Sequence, residues 1–178
     1  RFDAGMLYYC PQIWCSDNTD AIERLRIQYG TSFGYPMSSV SAHVSVCPNH
    51  QNHRVTPFKT RGICAMQGTF GYELDLSKMT DEEKKMAGEQ IAFFKEHGRL
   101  FQFGDYYRLT SPFENRDYTV WEYAAQDGSE ACMSVVYTDM YANAASEIVK
   151  WKGLDPKKVY QMQLDGEDAG NFSGAALM

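Results

Sequence analysis

Residues 14–36, WCSDNTDAIERLRIQYGTSFGYP, join a short apolar segment to a run with the apolar spacing of a helix. Ile22, Leu25 and Tyr29 lie at positions i, i+3 and i+7 of this run, which places them on one face of an α-helix. The spacing predicts a helix over residues 19–32. Two carboxylates lie at the junction in front of this helix, so the junction is the first candidate for chemistry.

Asp17 and Asp20 are these two carboxylates. A carboxyl packed against Trp14 and partly desolvated would have a raised pKa, as a general acid needs near neutral pH. A helix N-terminus has the opposite effect, because it favours the charged form. Asp is also an ordinary N-cap residue before an apolar-periodic run. Spacing alone leaves the catalytic and the capping interpretations open for both residues.

Short strands and helices alternate downstream of this stretch. Apolar and polar residues alternate strictly from Val40 to Val46, which is the period of a strand. Thr56-Pro57 favours a helix start, and Thr80 with Glu83 forms a capping box. The predicted elements are the helix 19–32, a strand over 40–46, a helix from 56 to about 67, a strand over 69–74 and a helix from 80 to 98. This order predicts an α/β fold with a parallel sheet or a barrel.

After Gly98 the pattern changes to strands separated by turn residues. Strands are predicted over 100–109, 118–125, 131–140 and 158–164. Asp127-Gly128 favours a type I′ hairpin turn, because both residues tolerate positive φ. A run of strands after α/β units indicates a separate antiparallel β domain. We therefore expect two domains, residues 1–98 and residues 99–178.

The composition limits the classes of partner. Hydrophobic residues make up 44% of the 178 residues, which is enough for a core. The net charge is −6 and no run of Lys or Arg exceeds two residues, so a nucleic-acid or anionic-membrane partner is disfavoured. No apolar run reaches 18 residues, so no membrane span is predicted.

The five cysteines are odd in number and irregularly spaced. This favours a reducing compartment over a disulfide framework, and hence a cytoplasmic location. The first residue is Arg1 and no signal-like segment follows. We expect the chain to be part of a larger protein, whose remainder would hold any targeting signal.

A dense set of potential metal ligands follows the strand 40–46, namely His43, Cys47, His50 and His53. Zinc accepts such ligands, but the spacing matches no common zinc pattern, so no metal is expected. His43 has two open interpretations, a polar group that faces a pocket from a strand end and a buried, satisfied histidine.

The β half carries aromatic residues that admit two interpretations. Tyr106, Tyr107, Trp121 and Tyr123 would serve either as a platform for a sugar ring or as cross-strand packing in the core.

Longer motifs resemble a known family over essentially the whole chain. They are RFDAGMLYY (1–9), WCSDNTDA (14–21), YGTS (29–32), SAHVS (41–45), PNHQ (48–51), RVTP (54–57), FGYELD (70–75), GRL (98–100), GLDP (153–156) and FSG (172–174). Together they resemble the α-galactosidases of glycoside hydrolase family 36.

The resemblance implies the last third of a (β/α)8 TIM barrel followed by an antiparallel β-sandwich. It implies that Asp17 is the catalytic acid/base in a retaining mechanism, with the nucleophile on an upstream Lys-Trp-Asp motif that these residues lack. We expect Trp14 and His43 to contact the substrate, which would be a terminal α-galactoside of the melibiose or raffinose type. No cofactor is implied, and a homo-oligomer is expected.

Other functions remain open beside this one. The chain by itself would be a non-catalytic, carbohydrate-binding or structural piece, because it lacks the nucleophile. A transgalactosylase and an α-N-acetylgalactosaminidase share the features of the family.

Overall fold

A computed structural model describes residues 3–144 and 146–178. The first part alternates short strands with helices, in the order β1 (Ile13–Trp14), α1 (Ala21–Thr31), β2 (Val40–Ser41), β3 (Val44–Ser45), α2 (Phe58–Ala65), β4 (Tyr72–Glu73), α3 (Asp81–Glu96) and α4 (Gly98–Phe103). The helices predicted over 19–32, 56–67 and 80–98 are therefore present. No helix of the described residues has the length and apolarity to cross a membrane.

The short strands of this part pair in parallel. Ile13 pairs with Val40 between β1 and β2, and Val44 pairs with Tyr72 between β3 and β4. The predicted strand 40–46 is present as two pieces, joined by Ala42, whose N–H donates to the Thr69 carbonyl at 3.1 Å. The sheet therefore orders these segments as 13–14, 40–45 and 69–73, which confirms the parallel α/β pattern expected from the sequence.

The two faces of the central segment differ in chemistry. Val40, Ala42 and Val44 are at most 4% exposed and belong to the apolar clusters that the helices cover. Because side chains alternate along a strand, His43 and Ser45 project from the opposite face. This second face carries the polar residues of the strand.

The second part is antiparallel. Its elements are β5 (Asp105–Arg108), β6 (Tyr118–Ala124), β7 (Ala131–Tyr137), β8 (Val159–Leu164), β9 (Glu167–Ser173) and α5 (Gly174–Leu177). The first three strands form one sheet in the order β5-β6-β7, while β8 and β9 form a separate hairpin. The predicted strands 118–125 and 158–164 are confirmed, whereas the strand predicted over 131–140 ends at Tyr137.

The prediction of a strand over 100–109 is wrong in its first half. Residues Gly98–Phe103 form α4, and only Asp105–Arg108 pair as a strand. Leu100 and Phe101 are neighbours, yet both are buried in the same cluster. A strand would send them to opposite faces, whereas a short helix turns both towards the core. Phe101 stacks on Phe94 of α3 with ring centroids 5.0 Å apart.

Two further features of the β part differ from the sequence predictions. Gly128 has a φ of 60° while Asp127 is not among the residues with positive φ, so the hairpin turn is not of type I′. The Gly128 N–H instead closes a turn on the Ala125 carbonyl at 2.8 Å. Strand β9 was not predicted, because nearly all of its residues are exposed and show no alternation.

Candidate functional site

The loop between β1 and α1 carries both candidate carboxylates. Asp20 caps α1, since its Oδ2 accepts the Glu23 N–H at 3.0 Å. Asp20 is 2% exposed, and its carboxylate also forms an ion pair with Arg54. Asp20 thus has a structural role at the helix N-terminus, where a carboxylate is favoured.

Asp17 lies in the same loop, and its side chain is exposed. The main chain around it is held on both sides. The Ser16 carbonyl accepts a hydrogen bond from Arg24 Nη1 at 2.9 Å, and the Asp17 carbonyl accepts one from Gln51 Nε2 at 3.1 Å. The loop therefore presents the exposed Asp17 carboxyl on a backbone that is held on both sides.

Trp14 and His43 meet beside this loop. Their ring centroids are 4.1 Å apart at an interplanar angle of 38°, and Trp14 remains 41% exposed. The structure thus brings together the two residues predicted to contact substrate. It does not confirm the predicted desolvation of Asp17, because the indole ring packs against His43 while the Asp17 carboxyl stays exposed.

The His43 side chain is largely buried on this face. It is 6% exposed, and its Nε2 lies 3.2 Å from Glu73 Oε2. This contact lacks hydrogen-bond geometry, since neither ring nitrogen has a hydrogen-bond partner among the described residues. Burial lowers the pKa of His43, an effect that Glu73 opposes and Arg24 reinforces. At neutral pH the ring is therefore uncharged and offers one donor and one acceptor.

The Oγ of Ser45 is the other buried polar atom of this face without a hydrogen-bond partner among the described residues. Ser45 lies two positions beyond His43, so both side chains project from the same face of the strand. Buried polar groups are nearly always satisfied in native proteins. The polar face is thus suited to bind a further polar group.

The potential zinc ligands do not converge. Among the described residues no group of three or more His, Cys, Asp or Glu side chains is placed to hold a metal ion. Cys47 donates to the Thr56 carbonyl at 3.6 Å, and His50 Nδ1 lies 3.5 Å from Thr19 Oγ1.

The aromatic residues of the β part are core residues rather than a sugar platform. Trp121 and Tyr123 are at most 2% exposed. The Tyr123 hydroxyl donates to the Gln67 carbonyl at 2.5 Å, and the Tyr106 hydroxyl accepts from Gln67 Nε2 at 2.7 Å. Burial raises the pKa of Tyr106 to about 12. Tyr107 is partly buried on the same strand as Tyr106.

Sequence reasoning missed the residues that hold the loop, Arg24 and Gln51, and the neighbour of His43, Glu73. One signal was present for Arg24. It falls beside Leu25 and four residues before Gln28 in α1, and all three are buried. Polar residues on the buried face of a helix indicate a specific partner. No comparable signal marked Gln51, which lies in an exposed loop.

Comparison with known families assigns both parts of the chain. Residues 1–104 match the Melibiase family, and residues 118–178 match the glycosyl hydrolase family 36 C-terminal domain.

Several named relatives are similar along the whole chain. The bifunctional alpha-galactosidase/sucrose kinase AgaSK of Mediterraneibacter gnavus is 52% identical over 100% of this chain and 19% of its own length. Alpha-galactosidase AgaA of Geobacillus stearothermophilus is 50% identical over 99% of this chain and 25% of its own. The chain therefore spans a quarter or less of these relatives.

Solved structures agree with the fold. The galactosidase domain of AgaSK superposes with a TM-score of 0.93 at 52% identity, covering 100% of this chain and 24% of that one. A substituted AgaA in complex with raffinose also gives a TM-score of 0.93, at 50% identity, covering 99% of this chain and 24% of that one.

Proposed function

Because the chain belongs to glycoside hydrolase family 36, we propose that it is the C-terminal part of a retaining α-galactosidase. The substrates are terminal α-galactosyl residues of melibiose- and raffinose-type oligosaccharides. The relatives carry the name α-galactosidase, and substituted variants of AgaA have been crystallised with raffinose and with stachyose. The remaining three quarters of such an enzyme would supply the nucleophile.

Residues 1–98 are proposed to form the last third of a (β/α)8 barrel, and residues 99–178 an antiparallel β-sandwich. Two observations support the barrel. β1 pairs in parallel with β2, as β3 does with β4, and helices follow β1, β3 and β4 in the chain. The antiparallel sheet and hairpin of the second part support the sandwich. In this architecture the loops after β1 and β3 lie at the carboxyl ends of barrel strands, where such enzymes carry catalytic residues.

The single observation that carries the mechanism is the exposed Asp17 carboxyl on a loop whose main chain is fixed. In the first step the upstream carboxylate bonds to the anomeric carbon while the bond to the leaving oxygen breaks. Asp17 gives its proton to that oxygen. In the second step Asp17 takes a proton from water, the water oxygen bonds to the anomeric carbon and the nucleophile is released. The product keeps the α configuration.

Asp17 must be protonated before the first step, although it is exposed in this part of the molecule. In the intact barrel the remaining strands and the bound galactoside would cover it. In general, a carboxyl covered from water favours its neutral form.

Trp14 and His43 are proposed to bind the sugar beside Asp17. The partly exposed indole offers a flat apolar surface to the C–H face of a pyranose ring. The uncharged His43 ring, with both nitrogens lacking hydrogen-bond partners among the described residues, offers a donor and an acceptor to sugar hydroxyls.

A homo-oligomer and a cytoplasmic location also belong to the proposal. Large apolar side chains such as Tyr8, Phe103 and Ile148 are 85%, 64% and 88% exposed, which suits burial against another surface. The five cysteines are all unpaired in the structure, which suits a reducing compartment.

The test is Asp17→Ala in the full-length protein, assayed on raffinose and on 4-nitrophenyl α-D-galactoside. Hydrolysis of raffinose should fall by about 10²–10⁴-fold, because its leaving sugar needs a proton. Formation of the glycosyl-enzyme from the nitrophenyl substrate should suffer much less, because nitrophenolate leaves without protonation. Added azide should restore turnover and give α-galactosyl azide, since the anion needs no general base.

Asp75→Asn is the matched control, because Asp75 is an exposed carboxyl that follows another parallel strand, β4. This variant should keep the ratio of the two rates. Equal losses on both substrates in Asp17→Ala, at equal folded concentration and with glycosylation rate-limiting, would contradict the assignment of Asp17.

A further inference from the structure

We propose that Arg24 and Gln51 are positioning residues that clamp the peptide units on either side of Asp17 and so aim its carboxyl. This inference rests on the proposed function, since it concerns the orientation of the acid/base. It assigns a role in the reaction to two residues that need not touch the substrate.

The clamp is required because the sheet ends before Asp17. The β1–β2 ladder ends at the pair Trp14–Ser41. Its hydrogen bonds therefore do not hold the chain at Asp17, three residues later. Arg24 of α1 bridges the gap. Its Nη1 donates to the Ser16 carbonyl at 2.9 Å and its Nη2 to the Ser41 carbonyl at 2.8 Å. The rigid guanidinium thus ties the loop to the neighbouring strand.

The free-energy cost of burying Arg24 indicates that its hydrogen bonds to the two carbonyls are needed. Arg24 is 4% exposed, and within residues 3–144 and 146–178 its hydrogen-bond partners are two carbonyls and the Gln28 side chain, with no carboxylate. A buried cation without a counter-ion is unfavourable. An apolar residue would fill this space at lower cost but would leave both carbonyls without donors.

Gln51 holds the other side of Asp17 from the loop after β3. Its Nε2 donates to the Asp17 carbonyl at 3.1 Å, and its Oε1 accepts the Thr19 N–H at 2.9 Å. Gln51 is itself anchored, because its N–H donates to Oδ1 of the buried Asn49 at 2.9 Å. Both ends of one amide therefore hold the loop at positions 17 and 19.

Together the two residues fix the carbonyls before and after the Asp17 Cα. The main-chain torsions at Asp17 are then set, and only its side-chain torsions remain free. Proton transfer requires hydrogen-bond distance to the leaving oxygen, and a displacement of about 1 Å can cost 10²-fold in rate. Loosening the clamp should therefore impair protonation more than sugar binding.

The experiment compares Arg24→Lys, Gln51→Ala and the double variant in the full-length protein. The readout is kcat/KM on raffinose divided by that on 4-nitrophenyl α-D-galactoside, under conditions where glycosylation limits both rates. Each single variant should lower this ratio by about tenfold or more, because only raffinose needs the proton. Gln51 is exposed and lies outside every helix and strand, so Gln51→Ala should fold. This variant therefore tests the clamp even if Arg24→Lys does not fold.

Arg108→Lys is the control for losing an arginine contact. Arg108 donates from Nε to Ser32 Oγ at 2.7 Å, at the far end of α1. This variant should leave the ratio unchanged. Single variants that lower both rates equally, or a control that shifts the ratio as much, would overturn the clamp while leaving the proposed function intact. A wild-type protein that hydrolyses neither galactoside would overturn the proposed function, and the clamp with it.

Discussion

Glu122 shows at the scale of one residue how the fold changes an ordinary side chain. It lies in β6, is fully buried, and accepts the Lys152 N–H on its carboxylate oxygens at 3.2 and 2.9 Å. Burial raises its pKa from 4.5 to about 7, against the smaller opposing effect of Lys152. Among the described residues no cationic side chain pairs with its carboxylate. The free energy of unfolding should therefore depend on the protonation of Glu122.

We predict that Glu122 contributes a fall in the free energy of unfolding as the pH rises from about 4.5 to about 7. In this window the folded state keeps the Glu122 proton that the unfolded chain has lost, so the unfolded state gains stability with pH, by at most about 1.4 kcal/mol per unit. Glu122→Gln should remove this slope, because the amide oxygen still accepts from Lys152 without a charge. Urea unfolding of the full-length protein at about pH 5 and about pH 8 measures the effect.

Glu167→Gln is the matched control, because Glu167 is exposed on β9. It should keep the wild-type slope. If Glu122→Gln retained that slope as well, the pH dependence would have to arise from another group.

At the scale of elements, helices with local signals were predicted accurately from the sequence. α3 begins at the capping box, with Thr80 Oγ1 accepting the Glu83 N–H at 3.1 Å and Glu83 Oε2 accepting the Thr80 N–H at 3.1 Å. α4 has six residues and no side-chain cap, so the sequence held no local signal for it.

We predict that Thr80→Ala destabilises the protein by about 1 kcal/mol, because the Glu83 N–H loses its acceptor at the helix N-terminus. Thr80→Ser keeps the hydroxyl and should cost little. Chemical unfolding of the wild type and the two variants checks this. A Ser variant as unstable as the Ala variant would point to the lost methyl group rather than the cap.

At the scale of the whole molecule, the α/β and β parts share a core. Leu25 of α1, Leu100 of α4 and Trp121 of β6 belong to one apolar cluster. A buried polar chain runs through the same region, since Gln28 Nε2 donates to Gln67 Oε1 at 2.7 Å and Gln67 Nε2 donates to the Tyr106 hydroxyl at 2.7 Å. The two parts are therefore packed as one unit across this boundary.

We predict that Gln67→Ala destabilises both parts together, by about 2–4 kcal/mol, because it creates a cavity and leaves the partly buried Tyr106 hydroxyl and the buried Gln28 amide with fewer partners. Urea unfolding followed by Trp fluorescence and by far-ultraviolet circular dichroism should give coincident curves, and the substitution should shift both curves to the same extent. Gln102→Ala, at an exposed glutamine of α4, is the control. Two separate transitions, with only one shifted, would contradict the shared core.

The structure agrees only in part with the site predicted from the sequence. Trp14 and His43 are brought into contact, and Asp17 lies on the neighbouring loop, but Arg24, Gln51 and Glu73 were not anticipated. Each of these three acts on a residue distant in the chain, as in the bond from Gln51 to the Asp17 carbonyl. Local periodicity carries no information about such pairs.

Helices α1 and α3, the alternation of apolar and polar residues over 40–46 and the family could all be predicted from the sequence. These follow from caps, periodicity and motifs, all of which act within a few residues. Three features could not be predicted and depend on packing: residues 98–103 are helical, Glu122 is buried, and Arg24 spans the carbonyls of Ser16 and Ser41. Those outcomes depend on which distant segments pack together, because burial and long-range hydrogen bonds outweigh weak local propensity.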